Sequence, residues 1–167
     1  MNSVIITGAD GFVGSYTVRC FLEHGVQVLA LDMADSPRRL QPSDGLKYIG
    51  CDCSDPKAMQ AAIPQGHYDA LIHFAWAGSA GPARVDYTLQ MQNALHTVAC
   101  LKTAKELGCN RFVGAGSIME YEVEAAVHTQ GSKPGMGYIY GMGKHIAHCM
   151  CKSVAADIGI ELVWPMI

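Results

Sequence analysis

The sequence has 167 residues, of which 50% are hydrophobic and 16% are charged, and its formal net charge is −3. This length and apolar content predict one folded domain with a sizeable core, and they exclude a disordered chain. With 12 basic and 15 acidic residues, the charge offers no basis for nucleic-acid binding. No apolar run approaches the ~20 residues of a membrane span. The first predicted strand begins by residue 3, so we expect no signal peptide and a cytoplasmic location.

The cysteines predict neither a disulfide scaffold nor a metal site. There are 7 of them, an odd number, scattered through predicted strands and helices, which favours reduced thiols. Two Cys-x-Cys pairs, Cys51/Cys53 and Cys149/Cys151, could in principle bind zinc. Residues two apart on a helix face apart, however, so the second pair would not converge on one ion. We expect buried, packed cysteines and no metal.

The first predicted unit is a strand, a glycine-containing turn, a helix and a second strand. Residues 4–6 form a β-branched run that is typical of a buried parallel strand. Apolar residues then recur at helical spacing. Gly25 ends this helix, and residues 26–31 form a second strand that closes on Asp32.

The three glycines of the turn have separate uses in a dinucleotide-binding unit. Gly8 allows a tight turn, Gly11 lets a pyrophosphate approach the backbone, and Gly14 lets helix and strand pack closely. The helix N-terminus offers N–H groups to phosphate, and Asp32 can accept hydrogen bonds from an adenosine ribose. The alternative is a plain strand–helix turn with incidental glycines.

Residues 7–14 read Thr-Gly-x-x-Gly-Phe-x-Gly, which resembles the extended branch of the short-chain dehydrogenase/reductase superfamily, the NAD-dependent epimerase/dehydratase family. The resemblance extends over essentially the whole chain. It implies one NAD(P)-binding Rossmann domain over residues 1–167. The fold expected is α/β, a doubly wound parallel sheet of about six strands with helices on both faces. Phe12 and Val13 would contact the cofactor together with the three glycines.

The loop after the second strand bears on the choice of cofactor. Asp32 would repel a 2′-phosphate, which favours NAD over NADP. Arg38 and Arg39 follow in a polar loop, and an arginine there can receive a 2′-phosphate. A plain solvated loop is the interpretation that we favour for these two arginines.

The third predicted strand, residues 46–50, leads into Cys51-Asp52-Cys53-Ser54-Asp55. This stretch resembles the family's Gly-Asp-Leu-Thr-Asp segment, which implies that Asp52 binds the adenine amino group and that Cys53 lies against the ring. The alternative for Asp52 is an ordinary turn residue. Asp55, which precedes a proline, is predicted to cap a short helix over residues 56–63.

The fourth predicted strand, residues 68–75, ends at the point where strand order reverses and ligands bind in a doubly wound sheet. Its exit resembles the family's His-x-Ala-Ala element, which implies that Phe74, Ala75 and Trp76 line the cofactor cleft near the second ribose and nicotinamide. Trp76 replaces a small residue of the family pattern. His73 by itself is more typical of a satisfied structural histidine than of a catalyst.

A long helix is predicted over residues 85–107, and its apolar residues on most sides indicate deep burial or an interface. Asn93 opens a segment that resembles the family's Asn-Val-x-Gly-Thr, which implies a cofactor contact. Family members commonly dimerise through this helix and a later one. The resemblance therefore implies a homodimer through the helices at 85–107 and 140–157.

The fifth predicted strand begins at Arg111 and leads to Ser117. The following residues resemble the family's Ser-Ser-Ser-x-x-Val-Tyr-Gly segment, in which Tyr121 fixes the register and places Ser117 in the catalytic position. Residues 122–137 are polar and glycine-rich, so they are predicted to form a loop that borders the substrate.

Tyr140 and Lys144 are spaced so that both lie on one face of a predicted helix that continues to about Asp157. A phenol has a pKa of ~10, too high for a base at neutral pH. An adjacent ammonium lowers that pKa because it favours the phenolate. The resemblance implies that Tyr140 exchanges a proton with a substrate oxygen, that Ser117 holds this oxygen, and that Lys144 also binds the nicotinamide ribose.

The resemblance implies an NAD(P)-dependent enzyme acting on a nucleotide-activated sugar. A dehydratase would carry an acidic pair after Ser117, where Ile118 and Met119 stand, and Glu120 comes one place later. A reductase or an epimerase is therefore favoured. The alternative is a non-catalytic dinucleotide-binding or redox-sensing module. Because the family continues beyond the last predicted strand, residues 159–167, into a small substrate domain, we expect this chain to be part of a longer enzyme.

Overall fold

The computed structural model describes all 167 residues and contains one six-stranded parallel sheet. The strands are β1 (Ser3–Thr7), β2 (Gln27–Asp32), β3 (Leu46–Gly50), β4 (Ala70–His73), β5 (Arg111–Gly114) and β6 (Glu161–Val163). Their order is β3-β2-β1-β4-β5-β6, so the sheet extends outward from β1 on one side and then on the other. The prediction of a doubly wound parallel sheet is confirmed.

Five α-helices and one short 3₁₀ helix connect the strands. The α-helices are α1 (Phe12–Glu23), α2 (Pro56–Ala62), α3 (Tyr87–Glu106), α4 (Met119–His128) and α5 (Tyr138–Ile158), and the 3₁₀ helix is Pro82–Val85. Asp55 caps α2 as predicted, because its carboxylate accepts from Lys57 N at 2.9 Å.

Successive residues of the central strands face opposite sides of the sheet, and helices cover both sides. Ile5 of β1 belongs to a core of 17 buried residues that includes Met59 of α2, Leu101 of α3 and Ala155 of α5. Its neighbours in β1 belong to a second core of 10 buried residues that includes Val18 of α1. Two-sided burial explains why β1 reads as a continuous apolar run.

The predicted loop over residues 122–137 is wrong in its first half, because α4 occupies Met119–His128. Glu120 and Val123 are its buried residues, and most of its other side chains, several of them apolar, are exposed. Glu120 and Glu122 lie in the first turn, where the positive end of the helix dipole stabilises their negative charge. A surface helix with a single fully buried apolar residue gives almost no apolar periodicity in sequence.

All seven cysteines are free, and those at 51, 53, 100, 109 and 151 are buried, as expected from the sequence. The structure contains no group of three or more histidine, cysteine or acidic side chains placed to bind a metal ion. None of its helices combines the length and the hydropathy needed to cross a bilayer.

Candidate functional site

A cavity of about 710 Å³ opens at the carboxyl ends of β1 and β4, where the strand order reverses. Its volume lies within the range of small-molecule and cofactor sites. The structure brings every residue of the predicted cofactor set to its wall: Gly8, Gly11, Phe12, Val13, Gly14, Asp32, Asp52, Cys53, Phe74, Ala75, Trp76, Asn93, Tyr140 and Lys144. Ser117 is the predicted site residue that does not line it, and its side chain is buried.

The glycine turn leaves no space for side chains on its inner side. Gly8 has a φ of +65°, and a Cβ there would lie 2.6 Å from Ala75 N. A Cβ at Gly14 would lie 2.1 Å from Gly8 O. The first turn of α1 therefore packs directly on the turn that follows β1.

The N-terminus of α1 has the properties of an anion site. Gly11 is its N-cap residue and supplies no side-chain hydrogen bond, and the first turn contains no acidic residue. The residues of that turn line the cavity, and no side chain caps their N–H groups. Phosphate oxygens are the ligands that such a helix end accepts best.

Asp32 is fixed at the end of β2 by two backbone amides. One carboxylate oxygen accepts from Asp10 N at 2.8 Å and the other from Met33 N at 2.8 Å. A carboxylate can accept about four hydrogen bonds, so Asp32 keeps acceptor capacity toward the cavity that it lines.

Sequence reasoning missed Asp10, which organises the loop after β2. Its buried carboxylate accepts from the backbone amides of Arg38 (2.7 Å), Arg39 (2.7 Å) and Leu40 (3.1 Å). Burial alone would raise the pKa of Asp10, but these three amides together with Arg39 leave it lowered. The arginine side chains are exposed and do not line the cavity.

Asp52 and Cys53 follow β3, the edge strand of the sheet, and line the cavity. Asp52 is exposed and accepts from Ser54 N at 2.9 Å, a bond that lowers the pKa of its carboxyl. It is thus both a turn residue and part of the wall. Burial raises the pKa of Cys53 to about 12, so its thiol stays protonated at neutral pH.

His73 is the satisfied structural histidine that its sequence context favours. Its ring nitrogens contact Thr7 Oγ1 at 2.7 Å and Thr97 Oγ1 at 3.3 Å. Burial lowers its pKa to about 3, so the ring is neutral at physiological pH. It holds β1, β4 and α3 together beneath the cavity.

Two side chains of α3 fix the loop that follows β4. Asn93 forms a pair of bonds with Ala77, accepting from its N–H at 3.1 Å and donating to its carbonyl at 2.8 Å. Gln90, which sequence reasoning missed, donates to the carbonyls of Gly78 and Ala83 and accepts from Trp76 Nε1 at 2.7 Å. Asn93 is therefore a loop anchor as well as a lining residue.

Tyr140 and Lys144 are each held by contacts with other residues rather than by a direct contact with each other. Lys144 Nζ donates to Ala115 O at 2.8 Å and lies 3.8 Å from the centre of the Trp76 ring, but 5.9 Å from that of Tyr140. Burial lowers the pKa of Lys144 to about 7, against the opposing effect of Glu120.

The expectation that Lys144 lowers the pKa of Tyr140 is wrong for the chain by itself. Burial of the Tyr140 phenol raises its pKa, and the lowering influences are the Ser117 side chain and Arg84. Burial is the largest cause, and the Lys144 ammonium is directed to a carbonyl and to Trp76 rather than to the phenol oxygen. Trp76, which departs from the family pattern, packs edge-on against Tyr140 at 6.1 Å.

A buried network behind the cavity positions Ser117. Glu120 accepts from Ser117 N at 2.9 Å and from Trp164 Nε1 at 3.1 Å, and its second oxygen lies 3.0 Å from His148 Nδ1. The His148 ring stacks on that of Trp164 with centroids 4.9 Å apart. No sequence pattern connects these elements, and Glu120 does not line the cavity.

The strand order and the cavity at its reversal define a doubly wound α/β domain with a ligand cleft at the carboxyl ends of its strands. Comparison with known families gives the same result in more detail. The model of the NAD dependent epimerase/dehydratase family matches residues 4–167, and the chain belongs to that family.

Individual relatives are distant. The chain is 25% identical to UDP-glucose 4-epimerase 1 of Oryza sativa subsp. japonica, an alignment that covers 94% of this chain and 48% of the relative. It is 27% identical to UDP-glucose 4-epimerase 2 of Arabidopsis thaliana, with 92% and 47% covered. The crystal structure of UDP-glucose 4-epimerase from Bifidobacterium longum in complex with NAD+ and UDP superposes with a TM-score of 0.75 and 22% identity, covering 98% and 52%. The chain thus spans about half the length of the curated relatives it matches.

Proposed function

We propose that this chain binds NAD in the cavity at the β1–β4 junction and forms the cofactor-binding part of an enzyme that acts on a nucleotide-activated sugar. The observation that carries the proposal is the convergence of the whole predicted cofactor set on one cavity of about 710 Å³. The uncapped N-terminus of α1 supports it, because a pyrophosphate would supply acceptors for its amides. Relatives named as UDP-glucose 4-epimerases support the substrate class.

Each part of the cofactor has candidate partners on the wall. Asp32 would accept from the adenosine ribose, Asp52 and Cys53 would contact the adenine, and α1 would bind the pyrophosphate. Phe74 to Trp76 and Asn93 would surround the second ribose and nicotinamide, with Tyr140 and Lys144 on that ribose. When bound, NAD supplies a carbon that accepts and returns hydride.

Tyr140 is the residue that we assign to proton transfer. Because burial raises its pKa, the phenol is protonated at neutral pH before any ligand binds, which suits a proton donor to a substrate carbonyl oxygen. Ser117 Oγ accepts from Met119 N at 3.3 Å, and its hydroxyl hydrogen, which is directed toward Tyr140 and lowers the pKa of the phenol, would donate to the same substrate oxygen.

An epimerase or a reductase fits better than a dehydratase. The positions after Ser117 carry Ile118 and Met119, neither of which can act as an acid. Glu120, the next acidic residue, is buried, and its oxygens already contact Ser117, Trp164 and His148.

We also propose that a second copy of the chain packs on α3. Tyr87, Met91 and Leu95 are exposed and recur at four-residue intervals, so they form an apolar stripe along one face of the helix. We expect wild type to sediment as a dimer and Leu95→Asp as a monomer. A monomeric wild type would contradict this interface.

The experiment that tests cofactor binding is a fluorescence titration of the chain with NADH and, separately, with NADPH. We expect saturable binding with NADH preferred. Asp32→Ala should weaken NADH binding by about tenfold, as expected for lost bonds to a ribose. Asp35→Ala is the matched control, because it removes an exposed carboxylate from the same loop that does not line the cavity. Absence of binding would contradict the proposal.

The experiment that tests catalysis compares wild type with Tyr140→Phe on UDP-glucose and UDP-galactose. We expect the variant to bind NADH and to lose turnover. Full activity in the variant would remove Tyr140 from the mechanism. NADH binding by wild type without any turnover would favour the alternative, a non-catalytic dinucleotide-binding or redox-sensing module.

A further inference from the structure

A positively charged side chain lies over the face of Tyr140, and it is not Lys144. The guanidinium carbon of Arg84 is 4.1 Å from the centre of the phenol ring. Lys144 Nζ is 5.9 Å from the same point. Arg84 comes from the 3₁₀ helix in the loop after β4, far in sequence from the Tyr-x-x-x-Lys segment of α5. It is not a wall residue of the cavity.

The fold holds Arg84 over the ring through its own bonds and through those of its loop. Arg84 Nη1 donates to Ser79 O at 2.8 Å, and its backbone N–H donates to Gly81 O at 3.1 Å. Gln90 fixes the preceding residue by donating to Ala83 O at 3.1 Å. Arg84 is half-buried, so solvent screens its charge only in part.

Lys144 has other partners. Its ammonium donates to Ala115 O at 2.8 Å and lies 3.8 Å from the Trp76 ring centre. The lysine ammonium therefore lies against the Trp76 ring, and the arginine guanidinium lies against the Tyr140 ring. Arg84 is the cation nearest to the Tyr140 ring, at 4.1 Å, whereas Lys144 is nearest to Trp76, at 3.8 Å, and reaches the Tyr140 ring centre only at 5.9 Å.

The charged and polar groups that face the Tyr140 phenol can be named from each element around it. Arg84 of the loop after β4 is cationic, and Lys144 of α5 is only partly protonated at neutral pH because burial lowers its pKa to about 7. Glu120 of α4 is anionic, and Ser117 of the loop after β5 offers a hydroxyl. A cation near a phenol stabilises the phenolate more than the neutral form, because the phenolate carries a full negative charge. Arg84 favours ionisation and Glu120 opposes it.

We propose that Arg84 is a positioning residue that supplies the positive charge stabilising the phenolate of Tyr140, the task that the family pattern would give to Lys144. The proton that leaves the phenol passes to the substrate oxygen, and Arg84 then balances the charge left on Tyr140. This inference rests on the proposed function, in which Tyr140 transfers that proton. It concerns an ionisation that can be measured without cofactor or substrate.

The test is a pH titration of the ligand-free chain labelled with ¹³C at the tyrosine Cζ atoms and followed by NMR. Tyr140→Phe identifies the Tyr140 signal among those of the 7 tyrosines. Arg84→Gln removes the charge and keeps an amide donor for Ser79 O, and Arg84→Met is a second neutral variant should the first not fold. Arg84→Lys restores the charge. Lys144→Met removes the lysine amine, which with a pKa of about 7 carries little charge in the pH range where Tyr140 titrates.

We expect Arg84→Gln to move the Tyr140 titration to higher pH by more than Lys144→Met does, and Arg84→Lys to restore most of the wild-type midpoint. In turnover, Arg84→Gln should lower kcat/KM at neutral pH by about tenfold and shift its pH profile upward. Arg19→Met is the matched control, because it removes a guanidinium placed 4.3 Å from the centre of another phenol ring, that of Tyr16. It should leave the Tyr140 titration unchanged.

An unchanged Tyr140 midpoint in both neutral variants of Arg84 would overturn the inference. So would a larger shift in Lys144→Met than in Arg84→Gln, since the charge would then belong to the lysine. The titration needs no ligand. Failure of NADH to bind would therefore contradict the proposed function without changing the result for Arg84, and an unmoved midpoint would leave the proposed cofactor site standing.

Discussion

Substituting Gly14 with alanine tests whether the turn after β1 requires glycine for packing. A Cβ at this position would lie 2.1 Å from Gly8 O and 2.9 Å from Ala9 Cα. Both neighbours are backbone atoms, so no side-chain rotation can relieve the contact, and α1 must move away from β1. Alanine in a helix gains about 1 kcal/mol over glycine, but overpacking of this severity costs about 1–3 kcal/mol or more.

Taking about 3 kcal/mol for a contact this short and subtracting the gain of about 1 kcal/mol, we expect Gly14→Ala to lose about 2 kcal/mol of unfolding free energy. For a domain of this size, 1 kcal/mol lowers Tm by about 2–4 °C, so Tm should fall by about 4–8 °C. Displacement of α1 also moves its first-turn amides, so NADH affinity should fall with stability. Circular dichroism melting and NADH fluorescence measure the two quantities on one preparation.

Gly135→Ala is the matched control for this substitution. Gly135 is exposed, has no neighbour within 4 Å of an added Cβ and does not have a positive φ. Alanine there should leave Tm unchanged or raise the free energy of unfolding by about 0.4–1 kcal/mol. The packing argument is refuted if Gly14→Ala melts at or above the wild-type temperature and binds NADH with wild-type affinity.

Three further predictions concern groups around the cavity. Because burial lowers the pKa of His73 from 6.5 to about 3, the unfolded chain alone binds this proton between those values. The free energy of unfolding should therefore fall by about 2 kcal/mol from pH 7 to pH 5. In His73→Gln, Tm should depend less on pH over this range, and a pH dependence equal to that of wild type would contradict the assignment. Asp10→Ala removes the acceptor of three loop amides, so limited proteolysis within residues 33–45 should accelerate, with Asp35→Ala as the unaffected control. Glu120→Ala leaves the Ser117 amide and an indole N–H without their acceptor, which should cost about 1–3 kcal/mol per group in chemical denaturation, and wild-type stability would refute the network.

The parts of the fold that the sequence predicted are those with a local, periodic signature. β1, α1 and β2 follow from a β-branched run, a helical repeat and a second apolar run, and all three are observed near the predicted bounds. α4 was missed because its two buried residues are one glutamate and one valine, and its other apolar side chains are exposed, so it has no such repeat. Elements with a regular apolar repeat could be predicted from the sequence, whereas the identity of single residues was not sufficient.

The same division applies to the candidate site. The cavity wall could be predicted because its residues follow the strand ends, and parallel strands bring those ends together at one edge of the sheet. The side-chain contacts behind the cavity wall could not be predicted. Glu120 meets His148 and Trp164 across 28 and 44 residues of sequence, and Asp10 meets the loop amides across about the same distance. Side-chain contacts between elements this far apart leave no spacing rule in the sequence.

The cation that lies nearest to Tyr140 could not be predicted from the Tyr-x-x-x-Lys motif. Spacing places Tyr140 and Lys144 on one helix face, which the structure bears out, since both line the same cavity. Spacing does not say where the ammonium points, and a tryptophan at position 76 gives it an alternative partner. Only the three-dimensional arrangement revealed that an arginine from another element faces the phenol.

The central position of β1 has a consequence for folding during synthesis. β1 pairs with β2 on one side and with β4 on the other, and Ala70–His73 are translated long after Ser3–Thr7. At about 5–20 residues per second, the ribosome needs about 3–13 s to reach β4 from β1. Throughout that interval one edge of β1 has no partner strand, and an open apolar edge is a template for pairing with other chains. The nascent half-sheet β3-β2-β1 is therefore the intermediate on which we expect chaperones to act.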